Sequence, residues 1–492
     1  MTALKDWRNW ALVAACMLPF IGFWATGLTD LDEGFYGAVV ANMVHTGDWI
    51  TPVFNGQPWF EKPILAYWLS APSVMAFGED FGPRLPSVIC TLATALVLFR
   101  FLRRHMGTDV ARVATAAYCG SLLVVGVGRM MLTDAPFVLA LTLALTTFYE
   151  SVTGSPRQRL WTAVALGAAV LAKGPVAGVL FVLIAGFTFW RMPELRANFR
   201  GHWLTGFALF ALVVAAWYVP AYLANREVFV QQFLIEQNIG RFRGGDLAHK
   251  TPIWAIPVYF PVILFAALMP WSLWALRAKW FAWPQDPLRR YLWIWALAVL
   301  VFFSVSLTKL PHYILPAVAP LVVLTVVAVL ERRGDGAQPD FWLKSALAWS
   351  VIVMSFVTTV FVLDYQRRFA EVHQFARYLR SKEGSVVIFN VGRVERDVTI
   401  STTLRKSAHP SFLYYTKPGA RMSDSVEDVA KLAGEVWLVM EKGEMTPDLS
   451  YKFILSNYAI SNQVLPFESK EYELWLLSPV EPEDLVPLEP GQ

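Results

Sequence analysis

The chain has 492 residues, of which 56% are hydrophobic and only 16% charged, and its formal net charge is +4. Soluble domains carry about a quarter charged residues, so this composition excludes an ordinary soluble enzyme. It also excludes a disordered chain and a disulfide scaffold. Residues 1–363 are about 13% charged with a net charge of +8, whereas residues 364–492 are about 26% charged with a net charge of −4. We therefore predict a transmembrane domain over 1–363 and a soluble domain over 364–492.

Eleven segments of the first part are candidates for transmembrane helices, each of which needs about 20 mostly apolar residues. The fifth and sixth are short and meet at Lys173-Gly174-Pro175, which indicates a tight hairpin. The predicted spans are 10–28, 84–102, 109–127, 133–150, 160–172, 175–190, 203–222, 254–276, 288–306, 312–330 and 342–363. This pattern predicts an α-helical polytopic membrane protein.

The loops between these spans predict the orientation, because cytoplasmic loops are enriched in Lys and Arg. The short loops carry most of the basic residues, and they alternate with two long loops, 29–83 and 223–253. We expect the N-terminus and the short loops to face the cytoplasm, and the long loops and the tail to lie outside. The basic residues of the predicted cytoplasmic side are Lys5, Arg8, Arg100, Arg103, Arg104, Arg112, Arg157, Arg159, Arg191, Arg196, Arg200, Arg277, Lys279, Arg289, Arg290, Arg332, Arg333 and Lys344.

The outer segments also have predictable secondary structure. The first long loop contains two helical pieces, 35–46 and 62–77, whose Tyr, Trp, Phe and Leu content is typical of helices in the membrane interface. The tail alternates apolar runs at 386–389 and 436–439 with polar helical stretches such as 425–432. Such alternation predicts a small α/β domain.

Carboxylates at the outer edge of the membrane are the first candidates for chemistry, since a charge there is costly unless it is paired or functional. Asp32 and Glu33 follow the first span and could supply a general base or a metal ligand. Taken alone, this cluster is better explained as a helix cap, in which Asp30 or Asp32 opens a helix whose first turn holds Glu33. Asp134 lies at the outer end of another span and could cap its helix while facing a cavity.

Lysines lie near the same edge. Lys62, in Phe60-Glu61-Lys62-Pro63, could bind a phosphate as a point charge or form an exposed pair with Glu61. For Lys173 the pattern slightly favours a snorkelling lysine over a functional one.

Two further outer segments are candidate anion sites. The loop that contains Arg241, Arg243 and His249 is basic and faces outward, against the positive-inside bias, and an anion site accounts for that. Lys309 and Tyr313 could bind an anion through a cation and a hydroxyl group. Alternatively, they could be a Lys and Tyr pair that anchors the protein at the membrane interface.

Together these residues form two separated carboxylate sites and several cations beside aromatic interfacial helices. This set fits a lipid phosphate, with the lipid tail in an apolar groove, the phosphate on the cations and the reacting head beside a carboxylate. The sequence contains no nucleotide-binding glycine loop, which favours an activated lipid over a nucleotide sugar as donor. We expect no nucleotide cofactor and no nucleic-acid partner, because membrane topology explains the basic excess.

Several motifs of the sequence, taken together, resemble those of a known family. In order along residues 10–330 they are similar to the bacterial lipid-to-lipid glycosyltransferases, and in particular to the aminoarabinose (4-amino-4-deoxy-L-arabinose) transferases of lipid A modification, which are related to protein O-mannosyltransferases. The motifs are Asp32-Glu33-x-x-Tyr36, Gly47-Asp48-Trp49, Phe60-Glu61-Lys62-Pro63, Asp134, Arg241-Phe242 with His249, and Phe302-Phe303-Ser304 through Lys309-Leu310-Pro311-x-Tyr313.

The resemblance implies a GT-C fold and an inverting single displacement on an undecaprenyl-phosphate sugar at the periplasmic face of the inner membrane. It implies these roles: catalytic, Asp32, Asp134 and Glu33; donor phosphate binding, Lys62, Tyr313, Lys309 and Arg241; substrate binding, Tyr36, Trp59 and Lys173. Glu61 and His249 match a Zn²⁺ ligand pair, and the sequence leaves open whether a metal is bound. We expect a monomer that acts among membrane lipids.

The resemblance leaves open the identity of both the sugar and the acceptor. Phe35 and Trp59 stand where the family often has Arg and Tyr, which removes polar partners near the substrates. A hexose, hexosamine or uronic acid is an alternative sugar, and lipid A, another glycan or a protein is an alternative acceptor. A lipid-linked sugar transporter or flippase is the rival class. Transporters usually place ionisable groups at the midplane and contain inverted repeats, whereas the charges here lie at the membrane edge.

Overall fold

The computed structural model describes residues 6–198, 203–240, 256–275, 284–306, 309–332, 338–389 and 409–480. Helices account for most of these residues, as the apolar spans predict. The helices are α1 Trp7–Met17, α2 Asp32–Thr46, α3 Leu65–Phe81, α4 Leu85–Met106, α5 Thr108–Cys119, α6 Leu122–Gly128, α7 Asp134–Thr153, α8 Gln158–Lys173, α9 Val176–Arg191, α10 Trp203–Phe229, α11 Ile256–Ala267, α12 Trp271–Ala275, α13 Pro287–Val305, α14 Leu315–Arg332, α15 Pro339–Arg368, α16 Ala370–Leu379, α17 Ser411–Tyr415, α18 Val426–Ala430 and α19 Pro447–Leu455.

The strands are few and short. They are β1 Val53–Phe54, β2 Gln57–Pro58, β3 Ser385–Phe389, β4 Arg421–Ser423, β5 Val436–Glu441, β6 Tyr458–Asn462 and β7 Tyr472–Pro479. The chain divides into two compact units. The first comprises Met1–Ala25 and Phe60–Phe361, and the second comprises Thr26–Trp59 and Val362–Gln492.

The first unit contains the membrane helices. Among the described residues, six helices are long and apolar enough to cross a bilayer, or seven if α5 and α6, which meet at 60°, form one bent span. Shorter apolar helices such as Val176–Arg191 accompany them. The protein is therefore an integral membrane protein. The helical hairpin predicted around Lys173-Gly174-Pro175 is confirmed as α8 and α9.

The first predicted span, 10–28, is not one continuous helix, and this prediction was wrong in its length. Helix α1 ends at Met17, and a 3₁₀ turn that includes Pro19 follows it. Two buried arginines then bind the backbone: Arg129 donates to the carbonyl oxygens of Pro19 and Ile21 at 3.2 and 3.1 Å, and Arg84 donates to that of Phe23 at 3.1 Å. These bonds satisfy carbonyl groups that a helix would have satisfied internally.

The second unit contains a five-stranded mixed sheet in the order β4-β3-β5-β7-β6. Strand β3 runs parallel to β4 and β5, whereas β7 runs antiparallel to β5 and β6. The apolar runs at 386–389 and 436–439 are confirmed as β3 and β5, and the helix predicted over 425–432 is the shorter α18. One face of the sheet packs its aliphatic side chains against α18 and α19.

A buried network of hydrogen bonds joins α2 to α17 within the second unit. The Asp30 side chain, 2% exposed, accepts from the backbone N–H of Ser411 at 2.9 Å and from its hydroxyl at 2.8 Å, and it pairs with His409 at 3.0 Å. The helices meet closely because Gly34 has no side chain: a Cβ there would lie 2.6 Å from the backbone nitrogen of Ser411 in α17. His373 extends the network with Nε2 2.9 Å from the Ser411 hydroxyl.

Replacing Asp30 with alanine should destabilise this unit, because it leaves the Ser411 N–H and hydroxyl and the His409 ring without their buried acceptor. We expect the free energy of unfolding to fall by about 2–4 kcal/mol. Denaturant unfolding of the purified protein in detergent measures this. The control is Asp428→Ala, which removes an exposed carboxylate paired with Lys431. Equal stability of the two variants would contradict the role assigned to Asp30.

Glu371 provides a second anchor in this unit. Its Oε1 accepts hydrogen bonds from the Ser469 hydroxyl at 2.6 Å and from three successive backbone N–H groups, of residues 470, 471 and 472. Partial burial raises the pKa of Glu371, but the hydrogen bonds from Ser469 and the backbone outweigh it and hold the pKa below its usual value of 4.5. The ionised carboxylate therefore stabilises the fold.

A carboxyl group whose pKa is lowered by folding stabilises the protein above its unfolded pKa, and this contribution is lost as the pH falls through the folded value. Glu371→Gln should therefore lower the unfolding free energy by about 1 kcal/mol near neutral pH. The difference from wild type should shrink as the pH falls below about 4.5. Unfolding curves collected across this range, with Glu435→Gln as an exposed control, test the expectation. A pH-independent difference would count against it.

Candidate functional site

An ion pair between Asp134 and Lys173 lies at the centre of the candidate site in the first unit. Asp134 is the first residue of α7 and Lys173 the last residue of α8, and the two helices pack against each other. Lys173 Nζ lies 2.5 Å from Asp134 Oδ1, and the side chains are only 10% and 5% exposed. Each charge also suits its helix end, since carboxylates are favoured at N-termini and cations at C-termini.

This geometry answers two questions that the sequence left open, one about Lys173 and one about Asp134. Lys173 does not snorkel to the surface, because its buried ammonium group is paired with Asp134. Asp134 does not cap its helix, since the N-cap of α7 is Thr133 and no side chain caps it.

Aromatic rings and further cations surround the pair. Lys173 Nζ lies 5.3 Å from the ring centroid of Tyr313 and 5.5 Å from that of Phe137, within the range of cation–π attraction. His312 and Lys62 are near enough to Asp134 to interact with it electrostatically. The structure thus brings Lys62, Asp134, Lys173 and Tyr313 to one region, in which Lys173 contacts Asp134 directly.

Lys62 is held by its neighbour Glu61, whose Oε1 lies 2.8 Å from Lys62 Nζ. The pair is not the exposed one considered from the sequence, because the two side chains are only 17% and 11% exposed. The preceding residue fixes the segment: the Phe60 N–H donates to Gln232 Oε1 at 3.3 Å, and the Phe60 ring lies against Trp217 and Phe229. A phosphate that enters this region competes with Glu61 for the Lys62 ammonium group.

Lys309 occupies a different environment. Lys309 is only 3% exposed, and its ammonium group donates to the carbonyl oxygen of Ser306 in the same turn. Burial lowers the pKa of Lys309, since the charged form is poorly solvated there. An interfacial anchor would expose its ammonium group, so the anchor interpretation of Lys309 was wrong.

The remaining acidic candidates, Asp32 and Glu33, belong to the second unit. Asp32 is the exposed first residue of α2, whereas Glu33 is fully buried and accepts from the Thr29 N–H at 3.0 Å and its hydroxyl at 2.7 Å. Asp32 opens α2 and Glu33 lies in its first turn, as the helix-cap interpretation predicted, but the side-chain cap was wrong, because the N-cap residue is Leu31 and no side chain caps the helix. Asp30 bonds to α17 instead.

Tyr36 and Trp59 lie in the apolar interior of the second unit, at 3% and 8% exposure. The Trp59 ring stacks on Phe35, with centroids 5.1 Å apart and planes at 14°, and Phe54 packs against both. The buried Trp59 Nε1 has no hydrogen-bond partner within the described part of the chain. The two positions that differ from the common family pattern, Phe35 and Trp59, are therefore in direct contact.

Two predicted residues, Arg241 and His249, lie outside the described residues. Within those residues, no group of three or more His, Cys, Asp or Glu side chains could hold a metal ion. Glu61 is the one member of the proposed Zn²⁺ pair that is described, and it is ion-paired with Lys62. The metal therefore stays a prediction.

Sequence reasoning missed His312 and Phe137. Both follow from local geometry: His312 precedes Tyr313 in the 3₁₀ turn Pro311–Ile314, and Phe137 lies about one helical turn after Asp134. The spacing from Asp134 could have indicated Phe137. Nothing in the sequence pattern marked His312 beyond its polarity next to an apolar span.

The sequence is similar to one protein family and to several named bacterial proteins. Residues 61–219 match the family described as dolichyl-phosphate-mannose-protein mannosyltransferase. A protein of Shewanella sediminis named undecaprenyl phosphate-α-4-amino-4-deoxy-L-arabinose arabinosyl transferase is 31% identical over 393 residues, covering 76% of this chain and 69% of that protein. A Pseudomonas aeruginosa protein of the same name is 34% identical over 320 residues, covering 62% of this chain and 56% of that protein.

Solved structures support the fold alone, because their sequences are distant. The crystal structure of ArnT from Cupriavidus metallidurans bound to undecaprenyl phosphate has a TM-score of 0.75 at 19% identity and covers 96% of this chain and 98% of that one. The oligosaccharyltransferase of Archaeoglobus fulgidus has a TM-score of 0.51 at 12% identity, over 95% of this chain and 73% of that one. By its sequence similarity, the chain belongs to the family of undecaprenyl phosphate-α-4-amino-4-deoxy-L-arabinose arabinosyl transferases and is a membrane glycosyltransferase.

Proposed function

We propose that the protein transfers 4-amino-4-deoxy-L-arabinose from undecaprenyl phosphate to lipid A at the periplasmic face of the inner membrane. The observation that carries this proposal is the cluster of Lys62, Asp134, Lys173 and Tyr313, built around a buried ion pair, in a chain of this family. Such a cluster suits a lipid phosphate, since it supplies cations and a phenol beside apolar helices. The sugar in this proposal is the one stated in the names of the relatives, and the acceptor, lipid A, is the one that the motif resemblance implies.

The reaction is a single displacement. A lone pair on the acceptor oxygen attacks the anomeric carbon of the donor sugar from the face opposite the phosphate, and the bond from that carbon to the phosphate oxygen breaks. The bonding electrons stay on the phosphate oxygen, so undecaprenyl phosphate leaves with one more negative charge. Stabilising that new charge is the main catalytic task, because preorganised cations in a poorly hydrated site act strongly on developing charge.

Several residues of the first unit contribute to binding the donor and stabilising the leaving phosphate. Lys62 releases Glu61 and binds the donor phosphate, and the Tyr313 hydroxyl adds a hydrogen bond. Lys173 holds Asp134 ionised and oriented, so that Asp134 can position a polar group of the sugar. The motif resemblance assigns Asp32 to the acceptor, which it orients or deprotonates; an acceptor that is already an anionic phosphate needs no strong base. The same proposal includes a catalytic role for Glu33, donor-phosphate binding by Lys309 and Arg241, and substrate binding by Tyr36 and Trp59.

Membrane topology completes the proposal. Eleven spans with the N-terminus in the cytoplasm place residues 364–492 in the periplasm as a soluble domain, and they place the loops that bear Lys62 and Asp134 on the same side. The excess of Lys and Arg in the alternate loops supports this orientation.

A protein acceptor is the second candidate. It is favoured by the match of residues 61–219 to the dolichyl-phosphate-mannose-protein mannosyltransferase family. In that case the same displacement delivers the sugar to a hydroxyl group of a protein, and the need for a general base is greater because a hydroxyl group must lose its proton.

Mass spectrometry of the cell envelope tests the proposal, with a strain that lacks the protein compared with the same strain carrying it. We expect lipid A species bearing an aminopentose only when the protein is present. Loss of a sugar from proteins instead would select the second candidate. An unchanged envelope, with no accumulation of polyprenyl-linked sugar in the strain that lacks the protein, would refute both.

A further inference from the structure

A cavity lies in the first unit, between α4, α7 and α8. Its volume is about 670 Å³. It is formed by residues near the C-terminal ends of α4 and α7 and the N-terminal end of α8, whereas Asp134 and Lys173 lie at the opposite ends of α7 and α8. Its polar and aromatic lining includes Arg100, Arg103, Arg104, Thr146, Glu150 and Trp161.

The charge of this cavity is positive. Its one carboxylate, Glu150, is already bound by Arg104 at 3.3 Å and faces His105 at 3.6 Å. Arg100 and Arg103 have no ion-pair partner in the part of the chain that the structure describes, although the Arg103 guanidinium lies 5.8 Å from the ring of Phe99. Two guanidinium groups are thus available to an anion, and guanidinium groups bind phosphate oxygens well because their donors form a planar fork.

An exposed apolar surface leads to these arginines. On α4, Ile89 and Leu96 are 55% and 48% exposed, and they lie seven residues apart on the face that continues to Arg100 and Arg103. Trp161, at the cavity, is 62% exposed. Because α4 is a candidate membrane span, its exposed apolar face contacts lipid chains.

We propose that this cavity binds the phosphate of an anionic phospholipid, whose acyl chains lie along the exposed face of α4 and against Trp161. The arginines follow the apolar stripe as a lipid headgroup follows its chains, and this continuity favours a phospholipid over free phosphate. Basic pockets between membrane helices recognise such headgroups in general. The site is separate from the proposed donor site and does not depend on the transfer reaction.

Titration of the purified full-length protein with phosphatidylglycerol in neutral detergent, followed by native mass spectrometry, tests this site. Two arginines near a membrane surface lead us to expect that the double variant Arg100→Gln/Arg103→Gln binds phosphatidylglycerol about 30-fold more weakly than wild type. The matched control is Arg157→Gln/Lys344→Gln, which removes the same charge from the same predicted side but outside the cavity, and it should bind within about twofold of wild type. Because the four substituted residues, two in each double variant, are all exposed, both double variants should unfold at the wild-type temperature without lipid.

Three results would overturn the proposal. Equal weakening by the two double variants would mean that general surface charge attracts the lipid. Unchanged binding by Arg100→Gln/Arg103→Gln would place the lipid elsewhere. Displacement of phosphatidylglycerol by millimolar inorganic phosphate at constant ionic strength would identify a free-phosphate site.

Discussion

Replacing Lys173 with methionine should both destabilise the protein and abolish sugar transfer. The change removes the partner of a carboxylate that is 5% exposed, and an uncompensated buried charge typically costs about 3–5 kcal/mol. Asp134 must then take up a proton or reorient, so transfer should fall by about two orders of magnitude or more. Denaturant unfolding in detergent and a transfer assay with a polyprenyl-phosphate aminoarabinose donor measure the two effects.

The double variant Asp134→Asn/Lys173→Met separates stability from catalysis. It contains no unpaired buried charge, so most of the lost stability should return, since replacing both partners of a buried pair is often nearly neutral. Transfer should stay low, because the ionised carboxylate is gone. Recovery of transfer together with stability would show that the pair acts only in folding, and the assignment of Asp134 to the substrate would then be wrong.

Lys62→Ala should produce the opposite pattern, with a large loss of transfer and a small change in stability. Its partner Glu61 is 11% exposed and can be hydrated when the lysine is removed. Loss of the cation that meets the leaving phosphate should lower kcat/KM by about 10²–10³-fold, the usual effect of removing one preorganised donor from developing negative charge. Kinetics at several donor concentrations measure this.

Two control variants define what Lys62 contributes. Lys62→Arg keeps the charge but changes the donor geometry, so it should restore part of the activity. Lys431→Ala removes an exposed lysine of the second unit, paired at 2.7 Å with Asp428, and should leave transfer unchanged. Activity of Lys62→Ala equal to that of wild type would remove Lys62 from the donor site.

The sequence predicted much of the helical framework because a membrane imposes it. Long apolar runs need internal hydrogen bonding in lipid, so helices such as α4, α7 and α13 could be located from composition alone. The strands β3 and β5 were equally visible as apolar runs bounded by polar residues. The end of α1 could not be located in this way, because the carbonyl groups of the segment that follows it bind Arg84 and Arg129, which lie far along the chain.

The candidate site was predictable in its residue types but not in its pairings. Asp134 and Lys173 stood out as charges in apolar surroundings, yet nothing local showed that they bind each other across 39 positions. The same limit explains why Asp30 was interpreted as a helix cap: its partners, Ser411 and His409, are 381 and 379 residues away. Buried polar groups choose partners by tertiary packing, and a sequence pattern records only the local part of that choice.

We propose that the Lys62–Asp134–Lys173 cluster serves transfer of an aminopentose from undecaprenyl phosphate to lipid A. The most direct test is reconstitution of the purified wild-type protein in vesicles with that donor and lipid A, followed by mass spectrometry of the acceptor. We predict that lipid A gains one aminopentose with wild-type protein and gains none at matched times with Lys62→Ala or Lys173→Met. Folded wild-type protein that leaves lipid A unmodified, or variants that modify it at the wild-type rate, would contradict the claim.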